Sequence, residues 1–243
     1  MKISRLEKIN PLRISEKLII NGFWKINLQK NPFYAAYKHV LQLKPDNKLL
    51  KEIIVFEERA LPGDPVYAKG WWKKMILRYG IAAHLSRNKY VLDTCSGLGW
   101  GSYLISQKAG KVVSIDIDEL SLNFARKYWG EKQSNIDFRK ASVLDIPFDD
   151  NTYDVVIAME SIEHFTQEDG ERYFNECYRV LKKGGILFGS SAFPANRKEA
   201  DELCAKNPYH YYVYTKKEIK SLLKRNFRWA YIFQNRLYFI AKK

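Results

Sequence analysis

Apolar positions follow two rhythms along this chain. Up to about residue 88 they recur at helical spacing in short pieces, such as Leu12, Ile14, Leu18 and Ile19, then Leu49, Leu50, Ile53 and Ile54. Asn21-Gly22, Asn31-Pro32 and Lys44-Pro45-Asp46 break these pieces as turns, and Glu57 to Pro65 reads as a loop running on to residue 69. Residues 1–69 are therefore expected to form a helical N-terminal extension. Residues 70–85 predict a helix with Trp72, Met75, Ile76, Tyr79 and Ala83 on one face. From residue 89 the rhythm changes to short apolar runs alternating with amphipathic ones. Strands are predicted at 90–94, 111–116, 135–140, 153–159 and 185–192, with helices at 101–109, 119–130 and 170–182. Such alternation argues for an α/β fold with a doubly wound, mostly parallel sheet. Lys182-Lys183-Gly184-Gly185 reads as a helix stop. A helix near 215–225 follows. Two aromatic-rich runs, Phe227–Phe233 and Leu237–Ile240, flank Gln234-Asn235-Arg236 and predict a C-terminal antiparallel hairpin. Residues 70–243 are expected to make one domain.

Composition refines this picture. The 243 residues are 46% hydrophobic and 14% aromatic, enough for one substantial core. No apolar run approaches the roughly 20 residues of a transmembrane helix. The start, Met1 to Gly22, alternates charge with apolar residues, unlike a signal peptide, so a cytoplasmic protein is expected. Cys95, Cys177 and Cys204 are widely spaced without a CxxC pair, which predicts reduced thiols and no metal site. The net charge of +14 is uneven: +10 over residues 1–88, −3 over 89–200 and +7 over 201–243. Basic flanks around a slightly acidic centre suit a polyanion, whether RNA, a nucleotide sugar, a lipid-diphosphate-linked glycan or a membrane surface. They are equally compatible with a lysine-rich solvated surface.

The chemistry-bearing stretch is Val91 to Ser102, VLDTCSGLGWGS. An apolar strand ends in an acid, passes through three alternating glycines and enters a helix. Glycine there is expected where a Cβ would stop the backbone from approaching a ligand. Lys111 to Asp116 is a second buried strand ending in an acid, placed to accept hydrogen bonds from both hydroxyls of a ribose. A dinucleotide turn started at Gly97 needs its third glycine at position 102, which is Ser102, so an NAD-dependent oxidoreductase is disfavoured.

This arrangement resembles motif I of the class I S-adenosylmethionine-dependent methyltransferases, acid-x-Gly-x-Gly-x-Gly, with Cys95 in place of the first glycine. The resemblance extends in fixed order over residues 89–192. Ala141 to Phe148 resembles the adenine-binding loop, with Ser142 where the family usually has Asp and with the Val143 amide near the ring. Asp154 to Met159 resembles the strand whose end faces the sulfonium methyl. The resemblance implies a Rossmann-like fold, S-adenosylmethionine as cofactor, and cofactor contacts from Asp93, Cys95, Gly97, Gly99, Asp116, Ile117, Ser142, Val143 and Met159. Glu58-Arg59, Pro62-Gly63, Arg78-Tyr79, Glu160-x-x-Glu163-His164 and Asn207-Pro208-Tyr209-His210 also look like landmarks of methyltransferases linked to bacterial surface polysaccharides. Those proteins carry Glu-His just before the Arg-Tyr, where Lys74 and Met75 stand here.

The implied reaction is methyl transfer to a hydroxyl of a sugar or glycan precursor, which can be anionic. His164 is the expected base for the hydroxyl proton, with Glu160 orienting the loop or facing the substrate. Methylation of RNA, a cap or another small molecule is the competing enzyme reading, and a non-catalytic nucleoside-binding protein is the other. Nucleic acid is not favoured, because no RNA-binding module is recognisable. Peripheral membrane contact fits the charge, and nothing in the pattern sets the oligomeric state.

Overall fold

The computed structural model describes residues 32–43, 69–233 and 238–243. Most of the expected N-terminal extension, the loop before residue 69, the side chains of Trp72 and Ile76 and the turn at 234–236 lie outside the described residues. In chain order the elements are α1 (Pro32–Gln42), α2 (Lys69–Leu85), β1 (Tyr90–Thr94), α3 (Trp100–Ser106), β2 (Lys111–Asp116) and α4 (Glu119–Tyr128). They continue as β3 (Ile136–Lys140), β4 (Tyr153–Met159), α5 (Gln167–Val180), β5 (Leu181–Ser190), α6 (Arg197–Ala205), α7 (Lys216–Asn226), β6 (Trp229–Phe233) and β7 (Tyr238–Lys242). Among the described residues, no helix is long and apolar enough to cross a membrane.

The sheet order is β3-β2-β1-β4-β5-β7-β6. The first five strands run parallel, and β7 lies antiparallel to both β5 and β6. Chain order reverses between β1 and β4, so the crevice of this α/β sheet opens where those two strands end. Val91, Leu92, Val112, Val113, Val156 and Ile157 are all fully buried, on both faces of the sheet. That accounts for continuous apolar runs in place of alternation. Phe33, Tyr79, Trp100, Leu104 and Trp129 build one core layer, from the α1–α4 side. Tyr173, Cys177, Ile219 and Leu223 build the other, from α5 and α7.

The expected fold class is borne out, with two local corrections. The helix expected at 170–182 spans Gln167–Val180, and the chain turns directly into β5 at Leu181, ending at Ser190. Val180 and Leu181 are both fully buried, and no spacer separates helix from strand. Lys182 to Gly185 is therefore an irregularity inside a strand, where the register to β4 shifts and Gly184 takes φ 81°. Lys182 reaches Asp154 at 3.0 Å. The second correction is α6, absent from the sequence expectation. Ala200 is its one buried residue, so it carries no apolar stripe to read. It is held by its ends, with Asn196 capping the Glu199 amide.

Candidate functional site

The loop from β1 to α3 is wound through three left-handed residues, Cys95 (φ 51°), Gly97 (φ 53°) and Gly99 (φ 73°). The Ser96 amide donates to the Ile115 carbonyl at 3.0 Å, and the Trp129 indole donates to the Leu98 carbonyl at 2.7 Å. Two of the motif's glycines are also required by packing, a need the sequence expectation did not include. A Cβ on Gly99 would lie 2.5 Å from the Ala125 Cβ, and one on Gly101 would lie 2.2 Å from the Tyr79 ring.

Asp116, 4% exposed at the end of β2, is pinned by backbone. Its Oδ2 accepts the Gly97 amide at 2.7 Å and its Oδ1 accepts the Asp118 amide at 3.0 Å. One carboxylate thus fixes the glycine loop to the end of β2. Beside it Ile117 is 67% exposed, an apolar side chain facing out at the mouth of the crevice. Asp93 has a different duty. It is buried and accepts the Ser102 hydroxyl at 2.5 Å, while Ser102 also meets the Ser114 hydroxyl at 2.8 Å. It holds the first turn of α3. Burial pushes its carboxyl up to about 7, eased by the Ser102 hydrogen bond and raised again by the Asp116 charge. Ser142 accepts the Leu144 amide at 3.1 Å, closing its own turn, and Val143 is buried against the sheet. Asp154 accepts the Tyr90 amide at 2.9 Å and is structural, in keeping with its place at the start of a strand.

The end of β4 is built differently. Met159 is buried, and Glu160 follows in a left-handed conformation at φ 44°. The Glu160 Oε1 pairs with the Arg78 guanidinium of α2 at 2.7 Å and accepts the Ser190 hydroxyl at 2.6 Å. Arg78 is 5% exposed, and its Cζ lies 5.6 Å from the centre of the Tyr238 ring. Burial acts to lower its pKa, but Glu160 and Tyr238 outweigh this and hold it above the ordinary value.

A 3-10 turn, Ile162–His164, then carries Glu163 and His164. Glu163 is 5% exposed and is pushed up to about 8, first by burial and then by the Glu160 charge, against the Ser191 hydrogen bond and Arg78. Its backbone carbonyl accepts the Tyr211 and Tyr212 amides at 2.9 and 3.3 Å, tying down the loop before α7. His164 Nδ1 lies 3.1 Å from the Tyr209 carbonyl. The His210 ring stands 5.2 Å from that of His164, at 79°. Sequence reasoning expected no metal set, yet the fold gathers Glu163, His164 and His210, which are separated by up to 47 positions. It also gave no role in the site to Arg78 or Ser96. Arg78 and Glu160 both stood among the expected landmarks, but nothing in their spacing showed that they pair, since they lie 82 residues apart on different elements.

A switch-point crevice, a left-handed glycine loop and a backbone-pinned acid thus come together at one end of this α/β sheet. Residues 91–185 match the family model described as a methyltransferase domain. The chain is 30% identical to an erythromycin 3''-O-methyltransferase of Saccharopolyspora erythraea, over 72% of this chain and 62% of that protein. A protein of Mycolicibacterium smegmatis named "Probable S-adenosylmethionine-dependent methyltransferase" is also 30% identical, over 60% of this chain and 54% of its own length. The chain thus spans less than two thirds of these curated relatives. Among solved structures, the PH0226 protein of Pyrococcus horikoshii superposes with a TM-score of 0.58 at 23% identity, covering 73% of this chain and 92% of that one. The YcgJ protein of Bacillus subtilis gives 0.59 at 19% identity, covering 65% and 70%. Both share the Rossmann-like fold.

The matched domain and these relatives imply S-adenosylmethionine as the cofactor. The residues present fit it. The Ser96 hydroxyl is buried in the glycine loop with no hydrogen-bond partner, which a polar ligand would supply. Asp116 beside it suits a ribose, and exposed Ile117 offers an apolar face for a base.

Proposed function

We propose that this protein is a methyltransferase that moves the methyl group of S-adenosylmethionine to a hydroxyl of a sugar or glycan precursor. The observation that supports this best is the Asp116 carboxylate, buried, pinned to the Gly97 amide and adjacent to the partnerless Ser96 hydroxyl. In this reading Asp116 accepts the ribose hydroxyls, Ser96 donates or accepts one further bond, Ile117 covers the adenine and the Val143 amide bonds its ring. Cys95, Gly97 and Gly99 shape the loop, Asp93 holds α3 behind it, and Ser142 braces the adenine loop through its own turn. Bound S-adenosylmethionine supplies a methyl carbon already activated on a sulfonium. The protein's task is then alignment and management of one proton. Met159 ends the strand beside the methyl position. The acceptor hydroxyl is activated at the cluster around His164. There the Tyr209 carbonyl accepts Nδ1–H, so the proton from the acceptor is proposed to go to Nε2. Glu160, held by Arg78, supplies negative charge beside that cluster.

A hydroxyl acceptor is supported by the relative whose name places its methyl on an oxygen. It is also supported by Tyr209 and Tyr211, 38% and 69% exposed, on the loop that carries His210. Aromatic faces of this kind suit the apolar face of a sugar ring. The domain is proposed to span residues 70–243 with residues 1–69 as its cover; α2 already meets the tip of β4 through Arg78.

Calorimetry with S-adenosylhomocysteine tests the cofactor half. Asp116→Ala should weaken binding by some tens of fold, about 2–3 kcal/mol for two lost hydrogen bonds. Unchanged affinity would place the ribose elsewhere. For the acceptor half, labelled S-adenosylmethionine is incubated with nucleotide sugars, glycan lipids and RNA. Label in the carbohydrate fractions is expected, reduced at least a hundredfold by His164→Ala with cofactor affinity kept; label in RNA alone would sink the sugar reading.

A further inference from the structure

We infer that Glu163, His164 and His210 form a binding site for one divalent transition-metal ion, with two imidazole nitrogens and one carboxylate oxygen as ligands. The use of such an ion in catalysis rests on the methyl-transfer reading above; its binding does not. One ligand atom from each residue lies within 4.8 Å of the other two. Metal bonds of about 2.0–2.2 Å place ligands about 3–4.4 Å apart across an ion, so side-chain rotations on the order of 1 Å close the set.

Three further features point to a cation. The Glu163 Oε2 is buried with no hydrogen-bond partner, in a residue 5% exposed. A buried carboxylate oxygen without a donor is costly, and an ion satisfies it. The Tyr209 carbonyl sits 3.1 Å from His164 Nδ1. This is the outer partner that metal-bound histidines characteristically have, and it turns Nε2 into the ligand nitrogen. His210 is also delivered by backbone, because the Tyr211 and Tyr212 amides both bond the Glu163 carbonyl.

Two nitrogens and one oxygen suit Mn²⁺, Fe²⁺ or Zn²⁺ better than Mg²⁺ or Ca²⁺, which prefer oxygen alone. Three protein ligands leave coordination positions open, and the exposed Tyr209 and Tyr211 are the chain neighbours of His210. With the ion bound, His164 Nε2 serves as a ligand and not as the base, and an acceptor offering hydroxyl oxygens fits the opening, where the positive charge would itself make a hydroxyl more acidic.

The test uses the full chain without a histidine tag, treated with chelator and titrated with MnCl₂. Bound ion is read by electron paramagnetic resonance, and S-adenosylhomocysteine affinity by calorimetry on the same samples. One Mn²⁺ per chain is expected. Glu163→Gln and His210→Ala should each weaken it by tenfold or more, with melting temperature and S-adenosylhomocysteine affinity held. If Glu163→Gln lowers the melting temperature, the half-buried His210 decides through His210→Ala. Absence of saturable Mn²⁺ and Zn²⁺ binding in the parent protein, or wild-type binding in both variants, would overturn the site. Loss of S-adenosylhomocysteine binding in the parent protein, with one Mn²⁺ still bound, supports the ion site and sinks the function reading instead.

Discussion

The two sides of the crevice solve the same problem, holding acids in a dry place, by different means. On the β1–β2 side Asp116 is tied by backbone amides that lie within 19 residues of it. On the β4 side Glu160 and Glu163 are held by side chains from elsewhere in the chain: Arg78 from α2, and Ser190 and Ser191 from the end of β5. Backbone anchors come with the loop conformation and cannot be mutated away. Side-chain anchors can be retuned one residue at a time, so the second half is free to differ between proteins that share the first. Under the proposed methyl-transfer reading, the first side is the cofactor half and the second the acceptor half, a division that suits a transferase.

The comparison is most exposed at its two buried charges. Asp93 is held at about 7 in the folded protein, above the ordinary value of 3.8. A raised carboxyl stabilises the fold fully below the unfolded value and loses that contribution as pH rises through the folded one. Stability should therefore fall between about pH 4 and pH 7, by on the order of 4 kcal/mol at most for this group. Urea denaturation at pH 5 and pH 8 checks this: Asp93→Asn should reduce the difference, the raised Glu163 carboxyl accounting for what remains, and an unchanged difference in the variant would break the reading. On the other side, Arg78→Met strands Glu160. The expected loss is about 3 kcal/mol, at the low end for a broken buried pair, because the Glu160 side chain remains 33% exposed. Arg78→Met with Glu160→Gln should recover more than half of it in a double-mutant cycle. An additive double variant would mean that the pair is not coupled.

This division also decides what the sequence could reveal. Asp93, the glycines and Asp116 sit on one βαβ unit, so their spacing along the chain is their spacing in space. The strands β1, β2 and β4 were legible for the same reason, as buried runs with no mixed face. The acceptor half was only partly legible. Glu163 and His164 are adjacent in sequence, but their relation to His210 depends on a loop folding back onto the Glu163 carbonyl. No periodicity encodes that. Nor does any pattern show that Gly101 is small to admit Tyr79, since the contact joins helices 22 residues apart. The motif marks the glycine and leaves its cause to the tertiary structure.

The smallest effect concerns the residue that departs from the family motif. Cys95 stands at φ 51°, where a Cβ costs about 1–2 kcal/mol and glycine costs little. Cys95→Gly removes that strain. It also removes a half-buried side chain packed against the α5 core layer, and it enlarges the entropy of the unfolded chain by about 0.4–1 kcal/mol. These contributions oppose one another, so stability should change by no more than about 1 kcal/mol, with S-adenosylhomocysteine affinity kept. Cys95→Val keeps the strain and adds a branched Cβ, so it should be clearly worse than Cys95→Gly in both. Gly99→Ala is the contrasting control, because its Cβ would meet Ala125 at 2.5 Å as well as a strained φ of 73°. If Cys95→Gly destabilises as much as Gly99→Ala, the thiol is a packing element that the fold requires. If it is neutral, backbone conformation alone sets the loop, as the pinned Asp116 already suggests for its other end.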